Sequence, residues 1–267
     1  MSLGCHACES LLELEFPMAL QNDITLELFR YHPETDAEPR FQAYEVPYRA
    51  DWVVLDAINW IKDHIDGTVS YRWSCRMGVC GSCGMMVNGE PRLACSAFLR
   101  EYYPETIRVE PLANFSVERD LVVDMDSFMQ KLRSVSPYII RDDVNDTDQG
   151  EYKQSPKQLA QYKQYSMCIN CMLCYSACPV AGNEPDFLGP AALALAHRYN
   201  KDSRDRGSSH RMGKMMEHEA VWGCTFVGEC SKVCPKNVDP AGAIQQAKAA
   251  AAQEYFKGFV MPKGAGR

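Results

Sequence analysis

The sequence lacks a long apolar run. No stretch approaches the roughly 18 apolar residues that a membrane-spanning helix requires, because PAALALAHRY and AKAAAAQEYF are short and interrupted by charge. We therefore expect any membrane contact to be made through a partner. The sequence also lacks an excess of positive charge, since its formal net charge is −7. An acidic chain is a poor match for a phosphate backbone, so nucleic acid is excluded as a partner.

The first residues, MSLGCHACESLLELEF, contain no basic segment followed by an apolar one. They are also acidic where a mitochondrial transit peptide is rich in arginine. We therefore expect the chain to stay in a reducing cytoplasm, where clustered cysteines serve as metal ligands more often than as disulfides. The chain has 13 cysteines, and its 267 residues are enough for two folded domains.

The two halves of the chain differ in their secondary-structure pattern. ITLELFRY, FQAYEVPY and TIRVEPL have the composition and alternation of strands, and Asn88-Gly89 favours a tight hairpin. Apolar residues recur at helical spacing at Leu55, Ile58, Ile61 and Ile65. Beyond Phe115 the strand signals fade, and SPKQLAQYKQY, GPAALALAHRY and DPAGAIQQAKAAAAQEYF predict helices. We place the domain boundary near Leu121.

Four cysteines of the first half have the spacing of a plant-type [2Fe–2S] site. They are Cys75, Cys80, Cys83 and Cys95. The glycines in CRMGVCGSCG allow a tight loop that directs backbone N–H groups toward sulfur. The alternative is a structural zinc site, but zinc sites favour two well-separated cysteine pairs. We name residues 75–83 the first cysteine loop.

The second half contains two cysteine runs that are related by a constant offset. CINCMLCYSACP (residues 168–179, the first run) has the bacterial ferredoxin spacing, and CTFVGECSKVCP (residues 224–235, the second run) aligns with it without a gap, because 224 − 168 and 235 − 179 are both 56. In such pairs the fourth cysteine of each run ligates the other cluster. The predicted [4Fe–4S] ligands are therefore Cys168, Cys171, Cys174 and Cys234.

The other cluster of this pair lacks one ligand. Cys178, Cys224 and Cys230 remain, and the position that matches Cys171 is Val227, which has no lone pair for iron. A cubane without its fourth protein ligand tends to lose that iron, so we predict a [3Fe–4S] cluster. The alternative is a chance valine in a degenerate repeat, which the constant offset disfavours.

The remaining metal-binding residue types have simpler interpretations. Cys5 and Cys8 have no second pair nearby, and we interpret them as free thiols. His64, His197 and His210 are interpreted as surface or packing residues, because every cluster already has its ligands. The segment RYNKDSRDRGSSHR has mixed charge and is interpreted as a solvated face or a partner contact.

These features resemble one family, the iron–sulfur subunits of succinate dehydrogenase and fumarate reductase (respiratory complex II). The resemblance covers nearly everything from Ile24 onward. It implies an α+β fold, with a β-grasp, plant-type [2Fe–2S] ferredoxin domain over residues 18–121 and an α-helical, bacterial-ferredoxin-like domain over residues 122–267, after an extension of residues 1–17. The segments that carry it are SYRWSCRMGVCGSCGMMVNG, ANFSVERDLVVDM, CINCMLCYSACP, GPAALALAHRYNKDSRDRG and CTFVGECSKVCPKNVDPAGAIQQ.

The resemblance also implies a role. The subunit would relay electrons between FAD in a flavoprotein subunit and a quinone in a membrane anchor, through the [2Fe–2S], [4Fe–4S] and [3Fe–4S] clusters in that order. It would lie on the cytoplasmic face of a bacterial inner membrane. Ubiquinone-linked members carry a tryptophan shortly after the first run, whereas CPVAGNEP has none. The chain is thus more similar to menaquinone-linked fumarate reductases, in which the positions of Gln245 and Lys248 lie by the quinone.

Two other functions fit part of the pattern. The first is the iron–sulfur subunit of another flavin dehydrogenase, of the glycolate-oxidase or heterodisulfide-reductase type, because those families share the spacing of the first run. The second is a zinc-stabilised binding protein without redox activity. A lysine on an alanine-rich helix is ordinarily solvated, which is the alternative interpretation of Lys248.

Overall fold

The computed structural model describes residues 22–142 and 150–260. The N-terminal part is a five-stranded sheet with strand order β2-β1-β5-β3-β4, and a separate two-stranded sheet, β6-β7, follows it. Residues 1–17, including Cys5 and Cys8, lie outside the described residues. The strands are β1 (Asp23–Arg30), β2 (Arg40–Pro47), β3 (Gly84–Val87), β4 (Glu90–Leu93), β5 (Ile107–Glu110), β6 (Val117–Arg119) and β7 (Val122–Val123).

Alternation in the sequence determines which face of the sheet is buried. Ile24, Leu26 and Leu28 of β1 face the core, and the residues between them are partly exposed. β1 pairs antiparallel with β2 and parallel with β5, so TIRVEPL forms a central strand. Asn88 and Gly89 both have positive φ, at 48° and 80°, which confirms the predicted hairpin between β3 and β4.

One helix, α1 (Val54–His64), packs on this sheet and completes the β-grasp domain. Leu55, Ile58 and Ile61 are buried, as their spacing predicts. The assignment of Ile65 to the same face was wrong, because α1 ends at His64 and Ile65 is 50% exposed. The helical pattern therefore extended one residue beyond the end of α1.

The C-terminal part is helical in the described ranges. Asp239 accepts a hydrogen bond from the backbone N–H of Gly242 at 2.8 Å, which confirms the predicted start of the last helix. SPKQLAQYKQY, in contrast, forms only a five-residue helix followed by turns. The helices are α2 (Asp126–Ser134), α3 (Pro156–Ala160), α4 (Leu173–Ser176), α5 (Pro179–Asn183), α6 (Pro190–Asn200), α7 (Ser208–Met215), α8 (Glu229–Lys232) and α9 (Pro240–Val260).

The segment RYNKDSRDRGSSHR was interpreted as a solvated face or a partner contact, and the solvated-face interpretation was wrong for Asp202, Asp205 and Arg211. Asp202 is buried, and it pairs with Arg204 at 2.8 Å. Arg211 and Asp205 form an ion pair at 2.7 Å in which the side chains are 0% and 1% exposed. These two ion pairs are therefore satisfied within the chain, and they hold this part of the segment against the helical core.

One continuous apolar core connects the two parts of the chain. Asn114, which follows the main sheet, donates from its side-chain nitrogen to the carbonyls of Tyr175, Ser176 and Cys178 at 2.8, 3.2 and 3.1 Å. This side chain fastens the end of α4 to the sheet domain. The division of the chain near Leu121 stays a prediction.

Candidate iron–sulfur sites

The first cysteine loop folds as the glycine-rich sequence predicts. Gly78 and Gly81 have φ of 67° and 76°, a region that glycine enters without strain. The loop directs backbone N–H groups of Met77, Cys80 and Val79 at the sulfur of Cys75, at N···S distances of 3.5, 3.3 and 3.3 Å. Hydrogen bonds to sulfur favour the thiolate, and they lower the pKa of Cys75 to about 6.

The four cysteines of this site are brought together. The side chains of Cys75 and Cys80 interact, and Cys83 interacts with both Cys95 and Cys80. Cys83 and Cys95 are buried, whereas Cys80 is exposed. Burial raises the pKa of Cys83 to about 12, so this thiol is neutral until a metal replaces its proton. A set made only of thiols, with N–H donors aimed at sulfur, fits an iron–sulfur cluster.

A hollow in the helical part collects the four cysteines predicted to hold the [4Fe–4S] cluster. Cys168, Cys171, Cys174 and Cys234 all line it, together with apolar residues of α6 and the start of α9. Cys234 belongs to the second run, so the folded chain brings the fourth cysteine of one run to the first three cysteines of the other. Burial raises the pKa of Cys171 to about 11, and the donor set again fits a cluster that binds as thiolate.

A second hollow collects the remaining three cysteines. Cys178, Cys224 and Cys230 line it, and Val227 lines it with them. The backbone N–H groups of Ala181 and Phe226 donate to Cys178 and Cys224 at 3.5 and 3.4 Å. Three thiols and one valine around one hollow fit a cluster with three protein ligands. That each hollow holds its cluster stays a prediction.

The two runs share one backbone conformation. Asn170 and Met172 have φ of 53° and 67°, and the residues 56 positions later, Phe226 and Gly228, have φ of 61° and 85°. A 3₁₀ turn precedes each run, and α4 and α8 follow at the same offset. The repeat is therefore structural, and the chance alignment that the sequence left open is disfavoured.

Lys248 and Gln245 occupy different positions relative to the three-cysteine hollow. The Lys248 ammonium donates to the carbonyl of Cys224 at 2.7 Å, so this lysine is not simply solvated. Gln245 is half-buried, and its side-chain nitrogen has no hydrogen-bond partner among the described residues. Lys248 therefore contacts the predicted ligand residue Cys224, whereas no hydrogen bond of the Gln245 side-chain nitrogen is present among the described residues.

An open pocket of about 710 Å³ lies beside the same cysteines. Pro179 follows Cys178, Thr225 follows Cys224, and both line the pocket with Asn183 and Trp222. Lys248 and Gln245 do not line it. Sequence reasoning missed Trp222 and Thr225. The available signal was their position next to a predicted ligand run.

Two further findings concern metals and membranes. Within residues 22–142 and 150–260, no three His, Cys, Asp or Glu side chains are placed to hold a single metal ion. No helix in the described part of the chain is both long and apolar enough to cross a membrane.

Comparison with known proteins identifies the two domains. Residues 25–130 match the family model described as a 2Fe-2S iron-sulfur cluster binding domain, and residues 164–238 match that of a 4Fe-4S dicluster domain. These matches agree with the observed order of a β-grasp domain and a helical domain.

Relatives and a solved structure cover most of the chain. It is 56% identical to the fumarate reductase iron-sulfur subunit of Mycobacterium tuberculosis strain CDC 1551 / Oshkosh over 92% of its length and 100% of that protein. It is 37% identical to the succinate dehydrogenase iron-sulfur subunit of Coxiella burnetii strain RSA 493 / Nine Mile phase I over 88% of its length and 100% of that protein. A chain of the Mycobacterium smegmatis Sdh1 complex in the apo form superposes with a TM-score of 0.77 at 26% identity, covering 88% of this chain and 98% of that one.

The higher identity to a fumarate reductase subunit agrees with the predicted subtype, and these relatives do not favour a different flavin dehydrogenase. The two domains, their order and the relatives support one conclusion. The chain belongs to the family of iron–sulfur subunits of fumarate reductase and succinate dehydrogenase.

Proposed function

We propose that this chain relays electrons between a flavoprotein subunit, where FAD interconverts succinate and fumarate, and a quinone held by a membrane anchor. The observation that carries the proposal is the sequence of contacts between the three cysteine sets. The first cysteine loop lies against Cys171 of the second set, and α4, which contains Cys174 of the second set, packs against α8, which contains Cys230 of the third. The three sites thus form one continuous series.

The bound clusters would accept and release single electrons. The residues of the chain hold them: Cys75, Cys80, Cys83 and Cys95 for [2Fe–2S], the hollow with Cys234 for [4Fe–4S], and the hollow with Val227 for [3Fe–4S]. Backbone N–H groups aimed at sulfur stabilise negative charge on the ligands and thereby raise the reduction potential.

Exposed apolar side chains support two docking faces. Around the first cysteine loop, Trp73 and Val79 are exposed and Met77 is 73% exposed. Around the three-cysteine hollow, Trp222 and Val227 are exposed and Phe226 is 58% exposed. Large apolar side chains clustered on a surface mark protein contacts. We assign the first face to the flavoprotein and the second to the membrane anchor.

The quinone belongs at the second face. The 710 Å³ pocket beside Cys178 and Cys224 has the size of a small-molecule site. Lys248 does not line this pocket, but its ammonium lies at the carbonyl of Cys224, next to the lining residue Thr225. From there it would donate to a quinone oxygen, and we keep Gln245 as a second candidate contact. The absence of tryptophan after the first run supports menaquinone. We propose that the docked chain lies on the cytoplasmic side of a bacterial inner membrane, as the resemblance to the family implies.

The proposal is tested on the complex purified anaerobically with its partners. The three clusters together would give about nine irons and about ten acid-labile sulfides per chain. EPR is expected to show a [3Fe–4S] signal in the oxidised protein and two further signals on reduction. Co-purification of a flavoprotein and of a membrane anchor with menaquinone would support the assigned partners. Stoichiometric zinc with little iron would contradict the proposal.

A further inference from the structure

Gly81 of the first cysteine loop lies directly against a predicted ligand of the second site. A Cβ atom on Gly81 would stand 2.8 Å from the Cβ atom of Cys171, 3.0 Å from its Cα and 3.1 Å from the carbonyl oxygen of Ile169. Real Cβ atoms essentially never approach this closely. The backbone of the first site therefore meets the [4Fe–4S] segment with no side chain between them.

Gly84 makes a second contact with the same residue. It follows Cys83, and a Cβ atom placed on it would lie 3.0 Å from the carbonyl oxygen of Cys171 and 3.2 Å from a methyl carbon of Leu173. Two glycines on either side of a predicted [2Fe–2S] ligand thus converge on one predicted [4Fe–4S] ligand. The same Cβ atom would lie 3.4 Å from a methyl carbon of Leu112, two residues before Asn114.

We infer that Gly81 and Gly84 are positioning residues that set the separation between the first and second cluster sites, with Cys171 as the point of contact. The inference rests on the proposed function, because it concerns the route between two sites of that relay. One electron lost at one site is gained at the other, and no bond forms or breaks. The residues act through distance alone.

Conformational freedom does not by itself explain both glycines. Gly81 has a φ of 76°, which the loop requires, but Gly78 has a φ of 67° and nothing within 4 Å of an added Cβ. Gly84 carries no positive φ and nonetheless abuts Cys171. Close approach between the two sites is the property that Gly81 and Gly84 share and Gly78 lacks.

The test replaces each glycine by alanine in the assembled complex. Optimal carbon–carbon contacts are about 3.5–4.0 Å, so a methyl group at 2.8 Å from the Cβ atom of Cys171 forces the two sites apart by roughly 1 Å. Gly81→Ala and Gly84→Ala are both expected to increase the separation. Gly78→Ala is the matched control for φ, and Gly213→Ala, on α7 with open space around it, is the control for an alanine at an unstrained position.

The readout is the magnetic interaction between the two sites after full reduction with dithionite. A second paramagnetic cluster nearby speeds the spin relaxation of the first, and the enhancement decreases steeply with separation. EPR power saturation of the [2Fe–2S] signal is expected to show this enhancement in full in the wild type, Gly78→Ala and Gly213→Ala, to be reduced in Gly81→Ala, and to be reduced to a smaller extent in Gly84→Ala, whose added Cβ contacts are 3.0 and 3.2 Å. Iron content per chain is measured in parallel.

The outcomes separate the inference from the proposed function. Wild-type relaxation in Gly81→Ala and Gly84→Ala with full iron would overturn the inference and leave the relay intact. An equal loss in Gly78→Ala would also overturn it, because the cause would then be loop strain. Failure of both variants to assemble clusters, while Gly78→Ala assembles them, would make the contact a folding requirement and overturn the role in separation. Absence of clusters from the wild type would contradict the proposed function itself.

Discussion

Val227 occupies in the second run the place that Cys171 holds in the first. The residues on either side of each have positive φ, and a short helix follows each at the same offset. Val227 lines the hollow that Cys178, Cys224 and Cys230 surround. The backbone therefore presents a side chain at the fourth corner of that hollow, and the side chain cannot bind iron.

Replacing Val227 by cysteine is expected to complete the fourth corner. The backbone around Val227 has the same positive-φ residues on either side as the backbone around Cys171, so the new thiolate should not require a change of loop conformation. Iron in Val227→Cys should rise by about one per chain, and the oxidised [3Fe–4S] EPR signal should disappear. Val227→Ala is the matched control, because alanine also lacks a donor and should leave both measurements unchanged. A wild-type protein with two [4Fe–4S] signals and no [3Fe–4S] signal would contradict this assignment.

Lys248→Ala is expected to slow quinone-coupled turnover while activity with an artificial dye at the flavoprotein survives. The reason is the position of the ammonium, which contacts the carbonyl of Cys224 at 2.7 Å. Lys157→Ala, an exposed lysine on α3, is the control and should change neither activity. Equal loss of both activities in Lys248→Ala would indicate an assembly defect, and unchanged quinone kinetics would remove Lys248 from the site.

The convergence of the cysteines of each predicted set could be predicted from sequence because it follows from their spacing along the chain. That these cysteines bind the clusters stays a prediction. The constant offset between the two runs was enough to predict that Cys234 joins the first run and that Val227 stands at a position without a ligand. The contacts of Gly81 and Gly84 could not be predicted in this way, because they join segments about 90 residues apart whose mutual position depends on the packing of two domains.

Charge patterning failed for a related reason. Asp202, Asp205 and Arg211 lie in a segment whose composition is that of a solvated loop, but in the folded chain Asp202 pairs with Arg204 and Asp205 pairs with Arg211. Composition gives the number of charges and not their partners. The two short strands after Phe115 were missed because two or three residues are too few for alternation to be visible.

Arg211 is predicted to be one of the most sensitive positions for stability. Besides pairing with Asp205, it donates to the carbonyls of Ser136 and Tyr138 at 3.0 and 2.5 Å. Arg211→Met leaves a buried carboxylate without its partner, which costs about 3–5 kcal/mol of unfolding free energy. The double variant Arg211→Met/Asp205→Leu should recover part of that loss. Lys232→Met, which breaks an exposed pair with Glu229, is the control and should change stability little. Equal effects at the two positions would contradict the prediction.

His197 gives the subunit a stability that decreases in mild acid. Its side chain is buried against the ring of Tyr165, and its Nε2 atom has no hydrogen-bond partner among the described residues. Burial, and then the charge of Lys201, lower the pKa of His197 from 6.5 to about 4, with Gln246 opposing the shift. The folded state therefore binds this proton less readily than the unfolded state does, so the unfolding free energy falls as pH decreases below 6.5 and levels off near 4.

Between about pH 7.5 and about pH 5.5 this single group should lower the unfolding free energy by about 1 kcal/mol, since the lower value is one pH unit below the unfolded pKa. His197→Gln keeps a polar side chain but removes the titrating group. Over the same pH interval, the unfolding free energy of this variant should therefore decrease less than that of the wild type, by the contribution of His197. Carboxylates contribute equally to both proteins, and the difference between the two profiles isolates His197. The measurement is denaturant unfolding at a series of pH values, followed by tryptophan fluorescence. Parallel profiles for His197→Gln and the wild type would show that His197 accepts a proton in the folded chain as easily as in the unfolded one.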